Sequence, residues 1–149
     1  MSGSRVQRRL TIMSAMSNAH LTCQVVAQYL PGQSKPAEGV YAFAYNVTIR
    51  NTGSVPAQVI ARHWIINDAD GARSEVKGLG VVGQQPLLQP GEVYTYASGT
   101  HLPTASGTMR GSYLCVTDEG EPFHVTIPEF VLSWEHDRGS DDETPRVLH

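Results

Sequence analysis

Gly78-Leu-Gly-Val-Val-Gly-Gln-Gln-Pro-Leu-Leu-Gln-Pro-Gly-Glu92 is the stretch on which the fold turns. Gly78, Gly80 and Gly83 stand in the G-x-G-x-x-G spacing of a dinucleotide cradle. Such a cradle requires a buried strand before it and a helix opening directly after it, because the pyrophosphate rests on the helix N-terminus. Pro86 and Pro90 follow closely, and no 3.6-residue apolar stripe begins here. Proline removes a backbone donor and breaks a helix interior. Gln89-Pro-Gly-Glu92 has instead the chemistry of a type II turn, with proline setting φ and glycine supplying φ > 0. Val93 to Ala97 then reads as a strand. The glycines lie between strands, so the motif lacks the context that would make it a nucleotide site. Extended or irregular backbone is expected through Gln89.

Working outward, the same period of two recurs. Tyr41, Phe43, Tyr45, Val47 and Ile49 alternate with Ala42, Ala44, Asn46, Thr48 and Arg50, which sends one face of a strand to a core. Leu21 to Leu30 reads as an earlier strand with Cys23, Val25, Ala27 and Tyr29 on one face. Pro31 to Gly39 is a loop. Ala57 to Asp68 is apolar on both faces and is expected to be central. Asp68-Ala-Asp-Gly71 is a hairpin turn with Gly71 left-handed, and Arg73 to Gly78 pairs back. Glu92 to Ser98, Thr108 to Thr117 and Pro122 to Leu132 complete the set, with a bulge expected at Pro128 where the parity shifts. About seven short antiparallel strands and no helix predict an all-β, immunoglobulin- or fibronectin type III-like sandwich. It occupies residues 20–134, with Trp134 ending the core. Residues 1–19 read as a flexible leader and residues 135–149 as an acidic, disordered tail.

Tyr113-Leu-Cys115 echoes the tyrosine corner of immunoglobulin-like sandwiches, whose hydroxyl satisfies a nearby backbone group. Trp64 takes the place of the core tryptophan. The inter-sheet disulfide does not follow, because Cys23 lies one strand too early. Both cysteines are expected to be reduced.

Bulk properties exclude several classes. The chain has 149 residues and a formal net charge of -3. It lacks the basic footprint that a phosphate backbone requires, so nucleic acid is not an expected partner. No apolar run approaches the ~18 residues of a membrane span, and the start is too short and polar for a secretory signal. A cytoplasmic setting is the expectation.

Several stretches together resemble the ApaG domain family: Tyr41-Ala-Phe-Ala-Tyr-Asn-Val-Thr-Ile-Arg-Asn51, Arg62-His-Trp-Ile-Ile-Asn-Asp-Ala-Asp-Gly71, Val76-Lys-Gly-Leu-Gly-Val-Val-Gly-Gln-Gln-Pro86, Gln89-Pro-Gly-Glu92 and Gly107-Thr-Met-Arg-Gly-Ser-Tyr113. The resemblance covers roughly residues 20–133 in order, and both ends fall outside it. It implies a fibronectin type III-like sandwich, found as small bacterial proteins and within eukaryotic F-box proteins, where it suggests protein–protein contact. The bacterial name implies a link to a neighbouring diadenosine tetraphosphate hydrolase and to cobalt and magnesium tolerance. The family has no established catalytic residues, so none is carried over.

The candidate chemistry is sparse. His20, His63, His101, His124, His136 and His149 show no ligand spacing. Asp68, Asp70 and Glu75 offer at most a weak divalent site, and turn chemistry accounts for the two aspartates. Neither cysteine adjoins an evident base, so no catalytic residue and no cofactor is expected. An anion site would use Gly78, Gly80 and Gly83 as a backbone nest, with Lys77 adjacent and Arg62 and Arg110 brought together by strand pairing. A partner site would use Tyr94 and Tyr96 if the Val93 face is core and the tyrosines are exposed. A sheet edge or face also offers a surface to a partner strand or a second copy. The function expected is a non-catalytic binding or adaptor module acting by protein contact. The alternative is a small-anion or nucleotide-phosphate binder connected to dinucleoside polyphosphate or divalent-metal physiology.

Overall fold

The structure, a computed structural model, describes residues 18–135. The expected leader and tail lie outside the described residues apart from Asn18, Ala19 and Glu135. Eight strands follow in chain order: β1 Leu21–Tyr29, β2 Tyr41–Asn51, β3 Ala57–Asp68, β4 Arg73–Leu79, β5 Leu87–Leu88, β6 Val93–Leu102, β7 Ser106–Thr117 and β8 Pro122–Ser133. They form two antiparallel sheets, β1-β2-β6 and β4-β3-β7-β8, with β5 on the same edge of β3 as β4. The all-β sandwich is as expected. No helix among the described residues is long and apolar enough to cross a membrane.

The alternation in β2 does what its period demands. Phe43, Tyr45, Val47 and Ile49 are buried, and Tyr41 is half-buried at the strand's start. Ala42 points to the opposite face yet is also buried, because the 31–38 segment folds back there, with the Ala42 N–H donating to Ser34 Oγ at 2.8 Å. That segment is two short 3-10 turns, Pro31–Gln33 and Pro36–Glu38, each opened by a proline.

Strand β3 is interior, as its two apolar faces predict, with β7 on one side and β4 and β5 on the other. Its inward Trp64 joins the sheets: the ring lies 5.4 Å from Tyr45, 6.0 Å from Phe130 and 6.4 Å from Tyr113, all edge-on. Such edge-to-face packing adds to the area term of aromatic burial. The bulge expected at Pro128 is present: Ile127 pairs with Gly111 and Phe130 with Met109, leaving one residue too many in β8. A second bulge falls at Ile60, between Val59 and Ala61, and nothing in the alternation signals it.

The sheets match imperfectly. β1 packs along β8 on one side. Counting from there, β2 overlies β7 and β6 overlies β3, so β4 projects with no strand above it. Every residue of β4 is exposed except the half-buried Gly78.

Candidate functional site

The glycine segment begins where β4 ends. Gly80, Val82 and Gly83 have φ of 67°, 44° and 80°. Val81 N donates to Gln84 O at 2.7 Å, and Gln84 N returns a bond to Val81 O at 2.9 Å. Two central residues at positive φ between reciprocal bonds make a type I′ hairpin turn. The carbonyl of the bulged Ile60 fixes this turn to β3, accepting from Gly80 N at 2.7 Å and Gln85 Nε2 at 3.0 Å. No helix opens after Gly83, and the predicted non-helical backbone runs to the turn at Gln89, where Glu92 N donates to Gln89 O and Gly91 has φ 87°. The N–H groups of Gly80, Val81 and Gln84 are committed to carbonyls. Within the turn this leaves the apex pair, Val82 and Gly83, to meet a ligand, so the segment is a poor nest for an anion.

Arg62 fastens the segment from below. Its Nη1 donates to Leu79 O at 2.9 Å and Gly80 O at 3.0 Å. The guanidinium covers Gly78, where an added Cβ would stand 2.8 Å from it. Gly78 is therefore glycine to make room for Arg62. The expected approach of Arg62 to Arg110 does not occur. Arg62 pairs with Tyr113 and Arg110 with Ile65, three residues apart along each strand. An odd offset puts side chains on opposite faces of a sheet. Arg62 lies on the inner face, while Arg110 lies outside, donating to Asn67 Oδ1 at 3.1 Å and standing 3.7 Å from Glu129 Oε1.

Lys77 faces outward too, opposite His63. The pair lines an open groove of about 430 Å3 together with Leu79, Ser112, Leu114 and His124. His63 Nε2 meets Glu75 Oε1 at 2.7 Å, and this hydrogen bond holds the Glu75 carboxyl below its ordinary range. Asp68 Oδ1 is occupied by the N–H groups of Asp70 and Ala72, each at 2.9 Å, as turn chemistry predicts. Asp68, Asp70 and Glu75 are not drawn together: among the described residues no three His, Cys, Asp or Glu side chains gather as metal ligands.

The tyrosine pair is turned the other way from the partner-site expectation. Val93 is exposed, and Tyr94 and Tyr96 pack against the core. Their parity follows from pairing with Ile49 and Val47, both fully buried. Tyr96 Oη and Tyr113 Oη share a hydrogen bond of 2.5 Å across the sandwich. Tyr113 is thus not a tyrosine corner closed on backbone, since its hydroxyl reaches the opposite sheet. Burial pushes both phenols above their ordinary value, and pushes the Cys23 thiol up to about 11 and Cys115 to about 12. Both cysteines are free, and at neutral pH they are protonated, poor nucleophiles.

Two features escaped the sequence. Asn51, legible only as a turn residue, is buried, and its Nδ2 donates to Val55 O and Leu88 O while Oδ1 accepts from Gly53 N, all at 2.9 Å. The other is apolar surface. Of the seven exposed large hydrophobic residues described, five lie between positions 76 and 93: Val76, Leu79, Val82, Leu87 and Val93. Hydrophobicity alone assigns such residues to a core. Their exposure is set by placement: Val76 lies on the uncovered inner face of β4, Leu79 on its outer face, and the others on the turn, β5 and β6.

Known proteins match this chain closely. The model of the ApaG domain matches residues 31–117, which span β2 to β7. Protein ApaG of Acidovorax sp. (strain JS42) is 59% identical over 127 residues, covering 85% of this chain and 93% of that protein. Protein ApaG of Ralstonia nicotianae is 52% identical over 134 residues, covering 90% and 100%. Among solved structures, the putative ApaA protein from Bordetella pertussis is 58% identical with a TM-score of 0.76, over 77% of this chain and 94% of that one.

Proposed function

The chain belongs to the ApaG domain family, and from that membership we propose that it is a non-catalytic binding or adaptor module that works by protein–protein contact in the cytoplasm. The observation that carries the reading is the run of exposed apolar side chains along β4 and the glycine turn, where Leu79 is 75% and Val82 and Leu87 each 52% exposed. Exposed apolar side chains gathered in one short stretch of chain mark a place for a partner. Of the positively charged groups nearby, Arg62 serves the fold, its Nη1 donating to two carbonyls. The test is affinity capture with the full chain. A stoichiometric protein partner lost on Leu79→Asp with Leu87→Asp, at unchanged melting temperature, supports the reading; capture of nothing stoichiometric refutes it.

The small-anion reading retains one support, the cross-strand pair Lys77 and His63 on the outer groove. Titration with pyrophosphate and a dinucleoside polyphosphate tests it, through saturable shifts at those two residues.

A further inference from the structure

The four sheet edges of this sandwich are not alike. The free edge of β1 already has β8 as its neighbour, across clefts of about 390 and 460 Å3. β8 carries Pro122, Pro128 and a bulge. β4 alternates Arg73, Glu75 and Lys77. Proline, bulges and charge are the usual guards against strand pairing. β6, from Val93 to Leu102, has no proline, lysine, arginine or carboxylate, and it pairs only with β2. Its other edge presents, at alternate residues, unguarded backbone donors and acceptors beside the uncovered inner face of β4. A cleft of about 230 Å3 already opens between the two, lined by Ile66, Arg73, Ser74, His101, Leu102 and Pro103.

We propose that β6 receives an extended peptide strand from a partner, which adds to the three-stranded sheet as its fourth member and covers β4. This rests on the adaptor reading and specifies how the partner binds. Backbone bonds to β6 would supply affinity, and alternate side chains would supply specificity. The inward residues of β4 are Ser74, Val76 and Gly78, paired with Ile66, Trp64 and Arg62. An incoming strand therefore sets one side chain over the 41%-exposed Val76 and another, two positions away, over the Arg62 guanidinium that caps Gly78. Those positions suit an apolar residue and a carboxylate.

A second copy does not fit. Pairing two β6 edges antiparallel about a twofold axis normal to the sheets keeps each layer in its plane. The second copy's β3 would then fall in the column that β4 occupies. The overhang blocks self-association of this kind and leaves room for a lone strand.

A phage-displayed library of random dodecapeptides selected on the full chain tests the proposal. Enriched peptides are expected to carry an apolar residue with Asp or Glu two positions away. Binding of a synthetic copy should slow hydrogen exchange at alternate β6 amides, and Val76→Lys should weaken it at least tenfold without lowering the melting temperature. Peptides that protect other amides, or no enrichment at all, overturn it. If Val76→Lys still captures the wild-type protein partner at full stoichiometry, edge pairing fails while the adaptor reading stands. A wild-type chain that captures no protein partner and enriches no peptide sinks the two together.

Discussion

Gly80 carries two constraints at once. Its φ is 67°, and an added Cβ would stand 2.4 Å from Gln84 O. Gly83 carries only the first, since a Cβ there meets nothing within 4 Å. Gly83→Ala should cost about 1 kcal/mol from backbone strain, and Gly80→Ala distinctly more, by chemical denaturation of both variants. Equal losses would show that the contact with Gln84 is not limiting. Val82 breaks a local rule, because a β-branched residue at φ 44° is out of place. Asparagine is the preferred residue at this position of a type I′ turn, so Val82→Asn should stabilise by roughly 1 kcal/mol. Wild-type valine then costs stability for the sake of its exposed side chain, as a contact residue would. The Tyr96–Tyr113 pair makes a sharper test. Removing one hydroxyl strands the other in a buried place, at about 1–3 kcal/mol, whereas removing both is closer to neutral. Tyr96→Phe, Tyr113→Phe and the double variant should therefore be non-additive, with the double less damaging than the sum. Additive losses would show that the two hydroxyls do not satisfy each other.

At the scale of strands, β3 and β4 are tied outside by His63 and Glu75. Glu75 has a depressed folded value, so its contribution is in place above the ordinary carboxylate pKa of about 4.3 and is lost as pH falls through the lower folded value. The group is exposed, and the effect on stability is correspondingly small. The measurable consequence is the titration itself: His63→Ala should return Glu75 toward its usual value by side-chain carboxyl NMR, and an unmoved midpoint would assign the depression to Arg73. Strand existence was legible in the chain because burial on one face imposes a period of two, as from Tyr41 to Ile49. Turns were legible where one residue type answers one dihedral demand, as at Gly71, Gly91 and Pro128. What the alternation hid is tertiary. The bulge at Ile60 exists to present a carbonyl to Gly80 and Gln85, and no residue type requires it. The inward turn of Tyr94 and Tyr96 depends on register with β2, since both of their faces read alike. Arg62 and Arg110 were expected together because β3 and β7 pair; the pairing is real, and an offset of three undoes it.

The molecule as a whole brings β1 and β8 together on one side and leaves an exposed β4 on the other, and its stability should be distributed the same way. The middle of the sandwich is held by Trp64 with Tyr45, Tyr113 and Phe130, while β4 contributes almost no buried surface. Regions with few buried apolar contacts open at low free energy, and core strands open only with global unfolding. Cys115 reports on the second process, being fully buried on β7 with its thiol pushed up to about 12. A thiol reagent can reach it only when the core opens, so its labelling rate follows the population of the unfolded chain when refolding outpaces labelling. Trp64→Phe removes aromatic volume from the centre and leaves a void. If the loss is about 1.4 kcal/mol, the open population rises tenfold and Cys115 should label about ten times faster. Val76→Lys, on the overhang, should leave that rate unchanged. Rapid labelling of Cys115 in the wild type, or equal acceleration by both substitutions, would mean that the two sides of the sandwich open together and that the overhang is not an independent surface.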